Sequence, residues 1–474
     1  MPDHVLPPTF FAINPFLDDT KKQSSLITIF SIWNTMVGAS LLSLPWALGE
    51  AGIVFGVILL FVMGVICLYT AYRIVESPKF IGDHMIYCKN DFIDFPDVCK
   101  FYFGKIGDMA SLIFSVIALI GGIVVMFVLM SNFLFYTGNV IHDAVHENET
   151  TEMDIIKNTS LTCDVFCISD DSSEVGHHHK FPHGSNHTNG TEPTDAFHRY
   201  WTLRRSVPCI LFVVLFPMLN MKSPTIFAKF NSLGTVSMFY LICFILAKIS
   251  ECGINLNLAN HASVHFATSF SWRFPALTGT LSLSFFCHNF VISVLRNQRE
   301  PSNNVRDVSI AYVLVAITYF IIAVGFYAAF PTFKDCIADN FLNNFASGDL
   351  LSSVARVFLL FQMSTVFPTV TYFLRIQMLY CLFGNIYPSF WHILVFNLIV
   401  TGTGLMFAMF LPQVGTIIRF VGALSGLAYV FTLPCMVYLA RLYYTENLRW
   451  YHIVIHVSLM ILGTANILAQ FALL

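Results

Sequence analysis

Apolar stretches separated by short polar ones run along almost the whole chain, and the length of each stretch limits what it can be. An α-helix rises about 1.5 Å per residue, so about 20 mostly apolar residues cross a hydrocarbon core about 30 Å thick. By that measure about eleven spanning helices are predicted. They lie near Ser25 to Leu48, Ala51 to Val75, Met109 to Thr137, Ser206 to Met221, Ala228 to Ile249 and Phe274 to Leu295. The rest lie near Val308 to Phe330, Val354 to Leu374, Pro388 to Leu411, Gly415 to Leu439 and Trp450 to Leu473. The fourth is the shortest. The first is longer than the apolar core of a signal peptide and no small-residue cleavage site follows it, so it reads as a permanent helix. The expected organisation is a short tail (1–24), five helices (25–249) that include a long polar loop (140–205), five more helices (274–439) and an eleventh (450–474).

Composition narrows the class. Of 474 residues, 56% are hydrophobic and 11% charged, against roughly 25% charged in soluble domains. So little charge cannot wet a soluble protein of this size, and the apolar excess faces lipid. A net charge of −3 with scattered basic residues leaves no footprint for nucleic acid. HExxH, GxSxG and P-loop motifs do not occur, which leaves no candidate catalytic residues and argues against an enzyme.

Three features orient the chain with its N-terminus in the cytosol. Lys21, Lys22, Arg73, Lys79, Lys89, Lys100, Lys105, Lys222, Lys229, Arg296, Arg299, Arg306, Arg375, Arg441 and Arg449 then lie on the cytosolic side, as the positive-inside rule requires. The loop after the third helix becomes lumenal, and it carries glycosylation sequons at Asn148, Asn158, Asn186 and Asn189. Cys163, Cys167, Cys252 and Cys336 also fall on the lumenal side, where disulfides persist. Most of the remaining cysteines sit in or beside spans and read as small hydrophobes.

Polar groups at membrane depth need internal partners, so they mark candidate sites. The first span holds Asn34, Thr35, Gly38, Ser40, Ser43 and Pro45. The sixth holds Thr278, Gly279, Thr280, Ser282, Ser284, Cys287, His288 and Asn289. Two such spans, five apart, are what a five-plus-five inverted repeat predicts, each with a helix broken near the midplane at a glycine. Unwound backbone would offer N–H groups to a carboxylate and carbonyls to a cation. Close packing of small residues is the competing explanation. In the eighth span, Gln362, Ser364, Thr365, Thr369 and Thr371 could give neutral oxygens to sodium, or simply bond back to their own helix. Carboxylates are nearly absent from the spans, which argues against an acidic proton relay. His288 and His456 are candidate pH sensors, with neutral packing as the alternative, and the run His177, His178, His179 reads as a solvated tract.

Six ungapped segments, in order, resemble the sodium-coupled neutral amino acid transporters of solute carrier family 38, in the amino acid/auxin permease group, and among them a lysosomal, arginine-responsive member. They are IWNTMVG at Ile32 to Gly38, FPDVC at Phe95 to Cys99, VLMSNFLF at Val128 to Phe135, NNVRD at Asn303 to Asp307, ARVFLLFQMSTV at Ala355 to Val366 and IYPS at Ile386 to Ser389. The resemblance implies an all-α, polytopic membrane protein with the amino acid, polyamine and organocation transporter fold. It implies substrate binding by Thr35, Met36, Gly38, Ala39 and Ser40, where Ala39 replaces a threonine of the relative, and sodium binding by Asn34 and Thr365. It further implies a disulfide from Cys336 to Cys167, with Cys163 as the less favoured partner, and sterol-contact patterns from Arg356 to Ser364 and from Val366 through Tyr372. The expected function is alternating-access transport of neutral or essential amino acids, arginine and leucine included, out of the lysosomal lumen, arginine-regulated and sodium-coupled, in contact with membrane lipid and cholesterol. The other reading is a sensor with vestigial transport that signals lumenal arginine to mTORC1. The relative binds the Rag GTPases and Ragulator through a long cytosolic tail, and residues 1–24 are a short counterpart, which argues against that role here.

Overall fold

The computed structural model describes residues 23–84, 94–146, 163, 165–167, 196–221, 233–296, 298–346, 348–385 and 387–473. The four sequons and the triple-histidine run lie outside the described residues. Among the described residues no strand forms, and eight helices are long and apolar enough to cross a membrane. A ninth span is the bent pair Ser25–Met36 and Ala39–Ala51, at 50° to each other. The two remaining predicted spans contain shorter helices, Ser206–Leu219 for the fourth and Pro275–Ser284 with Val291–Leu295 for the sixth. The others are Ile53–His84, Phe95–His146, Leu233–Cys252, Asn304–Ala329, Leu350–Phe383, Phe390–Phe410, Val414–Gly426 continued through Leu433–Tyr444, and Trp450–Ala472. The protein is thus an all-helical, multi-pass membrane protein. The third helix is longer than predicted because its first turns precede a left-handed Gly104 (φ 63°) and only the remainder is the apolar span.

Four of the five pairs of spans five apart pack on one another, first with sixth, second with seventh, third with eighth and fourth with ninth, whereas span five packs on spans seven and eight instead of span ten. The closest crossing is between the sixth and tenth spans. A Cβ on Gly422 would stand 2.1 Å from the Gly279 carbonyl oxygen, and one on Gly279 would stand 2.6 Å from the Arg419 carbonyl oxygen. Gly279 therefore does not unwind its helix, as the sequence suggested; it lets two backbones touch, the packing role of small residues in membranes. The hydroxyls around it are used in the same way. Thr278 donates to Asn466 Oδ1 (2.8 Å), Asn466 Nδ2 to Ser282 Oγ (3.4 Å) and Gln470 Nε2 to the Pro275 carbonyl (2.7 Å), all fastening the eleventh span to the sixth.

The face where the described chain begins is stitched by charge. Arg296 Nη2 reaches Asp94 Oδ1 at 2.7 Å and Ser293 Oγ donates to the same oxygen at 3.0 Å, joining the end of span six to the start of span three. Asp307, fully buried, accepts from Gln298 and from Arg306 Nε, and Gln23 bridges to Gln298. At the opposite face Glu50 pairs with Arg273 at 2.7 Å. There Gly52 turns the chain between spans one and two at φ 83°, with the backbone of Phe270 so close that a Cβ would meet its nitrogen at 2.7 Å.

That opposite face also carries both disulfides, Cys167–Cys336 and Cys163–Cys252. Cys163 is therefore engaged with the end of span five, a partner the sequence did not indicate. Asn344 donates to the Phe166 and Cys336 carbonyls and accepts from Ala338 N, which folds the loop between spans seven and eight on itself and ties it to the segment around Phe166. Lys334 donates to the Tyr327 and Phe330 carbonyls (2.9 and 2.7 Å), capping span seven, and burial pushes its pKa down to about 8. Asp339 accepts from Gly415 N at 3.0 Å, and its pKa is raised, chiefly by desolvation and in spite of backbone N–H groups that lower it. A carboxyl that holds its proton more tightly when folded adds stability that is complete below the unfolded pKa near 3.8 and fades as pH rises through the folded value. Asp339→Asn should therefore flatten the stability curve above pH 3.8, read as thermal unfolding in detergent against pH; a curve still falling like wild type would contradict this assignment.

Candidate functional site

Span one unwinds where its sequence turns small and polar. The first helix ends at Met36, Val37 N still bonds to the Trp33 carbonyl (2.9 Å), and a 3₁₀ segment, Ala39–Ser43, leads into Leu44–Ala51. The N–H groups of Gly38, Ala39 and Ser40 open the new segment and have no backbone acceptor among the described residues. Gly38 faces open space, since the nearest atom to an added Cβ is the Met36 carbonyl oxygen at 3.9 Å. Thr35 is exposed, and its hydroxyl bonds back to the Ser31 carbonyl (2.7 Å). Asn34 is half-buried, with its Oδ1 unpartnered. Trp33 Nε1 donates to Thr318 Oγ1 at 3.1 Å, fixing the end of the first helix against span seven.

Span six breaks later than predicted, after Ser284 rather than at Gly279, and helix resumes at Val291. The break is made of bulky residues that tertiary contacts hold. Phe285 is fully buried, Tyr312 Oη donates to its carbonyl at 3.1 Å, and Thr70 Oγ1 meets His288 Nε2 at 2.9 Å. Tyr319, also fully buried, links the two breaks: its hydroxyl lies 2.8 Å from the Met36 carbonyl oxygen and 2.6 Å from that of Ser284. Ser40 is a further hydrogen-bonding neighbour of this hydroxyl. Neither Tyr312 nor Tyr319 stood out in the sequence. Their one signal is a spacing of seven residues along an otherwise apolar helix, which places both on one face.

In span eight the hydroxyls bond back to their own helix: Ser364 to Leu360 (2.7 Å), Thr365 to Gln362 (2.8 Å), Thr369 to Thr365 (3.2 Å) and Thr371 to Phe367 (2.9 Å). A hydroxyl that donates its proton in this way keeps its oxygen lone pairs, so Thr365 retains an oxygen to offer a cation. Gln362 Oε1 is buried without a partner. Tyr372 is half-buried beneath the Arg375 guanidinium, 4.9 Å from ring centroid to charge.

The two candidate pH sensors hold helices together. His456 Nδ1 lies 2.7 Å from the His452 carbonyl, which can only accept, so this nitrogen carries the proton. Tyr69 then donates to Nε2 (2.8 Å) and Arg73 donates to the Tyr69 oxygen (3.1 Å), a chain that fits the neutral ring. His288 is 1% exposed and pins the span-six break to span two through Thr70.

The arrangement therefore offers free amides at one break, helix-end carbonyls at both, and the unpartnered Asn34 oxygen beside the first; the Thr365 hydroxyl stays on its own helix. A model of the family described as transmembrane amino acid transporter protein matches residues 21–163 and 192–469. The chain is 46% identical over its full length to a sodium-coupled neutral amino acid transporter 9 homolog from Caenorhabditis elegans, covering 78% of that protein. It is 43% identical to neutral amino acid transporter 9 of Xenopus tropicalis and 42% identical to that of Rattus norvegicus, with 99% of this chain and 86% and 85% of those proteins aligned.

Proposed function

Since the chain belongs to the transmembrane amino acid transporter family, as an amino acid transporter of the neutral amino acid transporter 9 kind, we propose that its substrate sits between the breaks of spans one and six and crosses by alternating access. The carrying observation is the span-one break, where three free amides and an uncrowded Gly38 adjoin a second break. In this reading the α-carboxylate takes the amides of Gly38, Ala39 and Ser40, and the ammonium takes helix-end carbonyls, each favoured by the dipole of its helix terminus. Met36 and Thr35 flank the substrate. Spans one to five and six to ten act as two repeats around the fixed site. The N-terminus faces the cytosol and the sequon-bearing loop faces the lysosomal lumen, so flux out of the lumen supplies neutral and cationic amino acids to the cell.

Sodium, as co-transported ion, is assigned to the unpartnered Asn34 Oδ1 and to the Thr365 oxygen; the sodium-coupled name of the nematode relative supports this. Losing one neutral oxygen from a bound charge costs about 1.5–3 kcal/mol, so Asn34→Ala or Thr365→Ala should raise the half-saturating sodium concentration about tenfold or more. Flux of radiolabelled leucine and arginine in proteoliposomes, with sodium or with choline, checks both claims. Sodium-driven flux of either amino acid is the expected result. Equal flux in choline would remove sodium from the account, and no flux of any amino acid would remove the site.

A further inference from the structure

We propose that the Tyr319 hydroxyl occupies the place of the substrate's ammonium group in the empty transporter and is displaced from it when an amino acid binds. This rests on the amino-acid reading of the paired breaks. The helices Ser25–Met36 and Pro275–Ser284 enter from opposite faces, because Gln23 bridges to Gln298 beyond span six while Ser271, ahead of span six, bonds to Ala51 at the end of span one. Both helices therefore point their C-termini at the middle of the protein. Each terminus leaves carbonyls without an intrahelical donor and carries about half a negative charge. Two such ends converge on one phenol, at 2.8 Å from Met36 O and 2.6 Å from Ser284 O.

A phenol has a single O–H proton and no charge, so it satisfies one of these carbonyls at a time and leaves the field of two helix ends uncompensated. An ammonium has three N–H donors and a full positive charge. It can satisfy both carbonyls at once and still bring the full charge that the phenol lacks. Tyr319 thus keeps the two half-helices joined while the site is empty and yields to a group that does the same work better. The chemistry selects primary α-amines and rejects carboxylic acids that lack one.

Tyr319→Phe removes the competitor without removing the ring that packs edge-on to Phe285. A hydrogen bond contributes about 0.5–1.5 kcal/mol net, so the KM for leucine should fall about three- to tenfold. The empty protein should melt at a lower temperature and gain more from added leucine than wild type does. A residue with only a packing role, or one that grips the substrate, would instead leave the KM unchanged or raise it, and either result overturns the proposal. Tyr429→Phe serves as control: Tyr429, fully buried, keeps its ring against Phe286 while its hydroxyl donates to the Ser111 carbonyl at 2.8 Å and not to a carbonyl of either break, so losing that hydroxyl alone should leave the KM at the wild-type value. Should Tyr319→Phe fail to fold, 3,5-difluorotyrosine at position 319, a stronger donor, is expected to raise the KM, and an unchanged or lower KM counts against displacement. 4-Methylpentanoate, leucine without its amine, should not compete with leucine in either protein. If Gly38→Phe still transports, the site itself is misplaced; if Gly38→Phe is inactive and Tyr319→Phe keeps the wild-type KM, only the displacement is wrong.

Discussion

Gly38→Phe should cut amino-acid uptake about a hundredfold or more, equal to about 2.8 kcal/mol, while the protein still folds. Most buried glycines in a helical membrane protein cannot test a binding site, because a side chain there strikes protein. Gly422 is such a case, with the Gly279 carbonyl 2.1 Å from where its Cβ would go. Gly38 differs. Its backbone (φ −130°, ψ −150°) is open to any residue, and an added Cβ meets only the Met36 oxygen at 3.9 Å. A phenyl group there fills the space in front of the free amides and displaces no protein atom at the point of attachment. Lost uptake with an unchanged melting temperature would identify that space as the substrate's. Retained uptake would show that the break is only a joint.

Lys248→Met should destabilise the protein by about 3–5 kcal/mol, because removing one member of a buried ion pair strands the other. Lys248 is 3% exposed and reaches Asp349 Oδ1 at 3.0 Å, as well as Glu251. Asp349 in turn caps span eight through Ser352 N at 2.9 Å. The pair joins spans five and eight beside the Cys163–Cys252 disulfide. The double variant Lys248→Met, Asp349→Leu should recover much of the loss, short of the lost cap, since a well-packed apolar pair can replace an ionic one. Thermal unfolding of the two single variants and the double variant in one detergent measures the coupling. Strictly additive losses would mean the two residues act independently.

The pair shows where the sequence was legible and where it was not. Spans could be read because length and hydropathy act locally, and the break in span one could be read because Asn34, Thr35 and Gly38 weaken the helix on their own. The break in span six was placed one and a half turns too early. Its small and hydroxyl residues are consumed by packing against spans ten and eleven, while the true break, at Phe285 to Phe290, depends on Tyr312, Tyr319 and Thr70 from other helices. No local rule predicts unwinding in such bulky residues. The same limit applies to Lys248 with Asp349 and to Cys163 with Cys252, whose partners lie about a hundred residues away and become neighbours only once the helices are packed.

The central claim is that an amino acid is held between the two breaks. Its most direct test is an electron cryo-microscopy map of the full chain with saturating leucine, compared with a map of the empty protein. The account predicts new density beside residues 37–40, with its amine end at the Met36 and Ser284 carbonyls and the Tyr319 hydroxyl moved off them. Density for leucine elsewhere, with the span-one amides and the Tyr319 bonds unchanged, would contradict it.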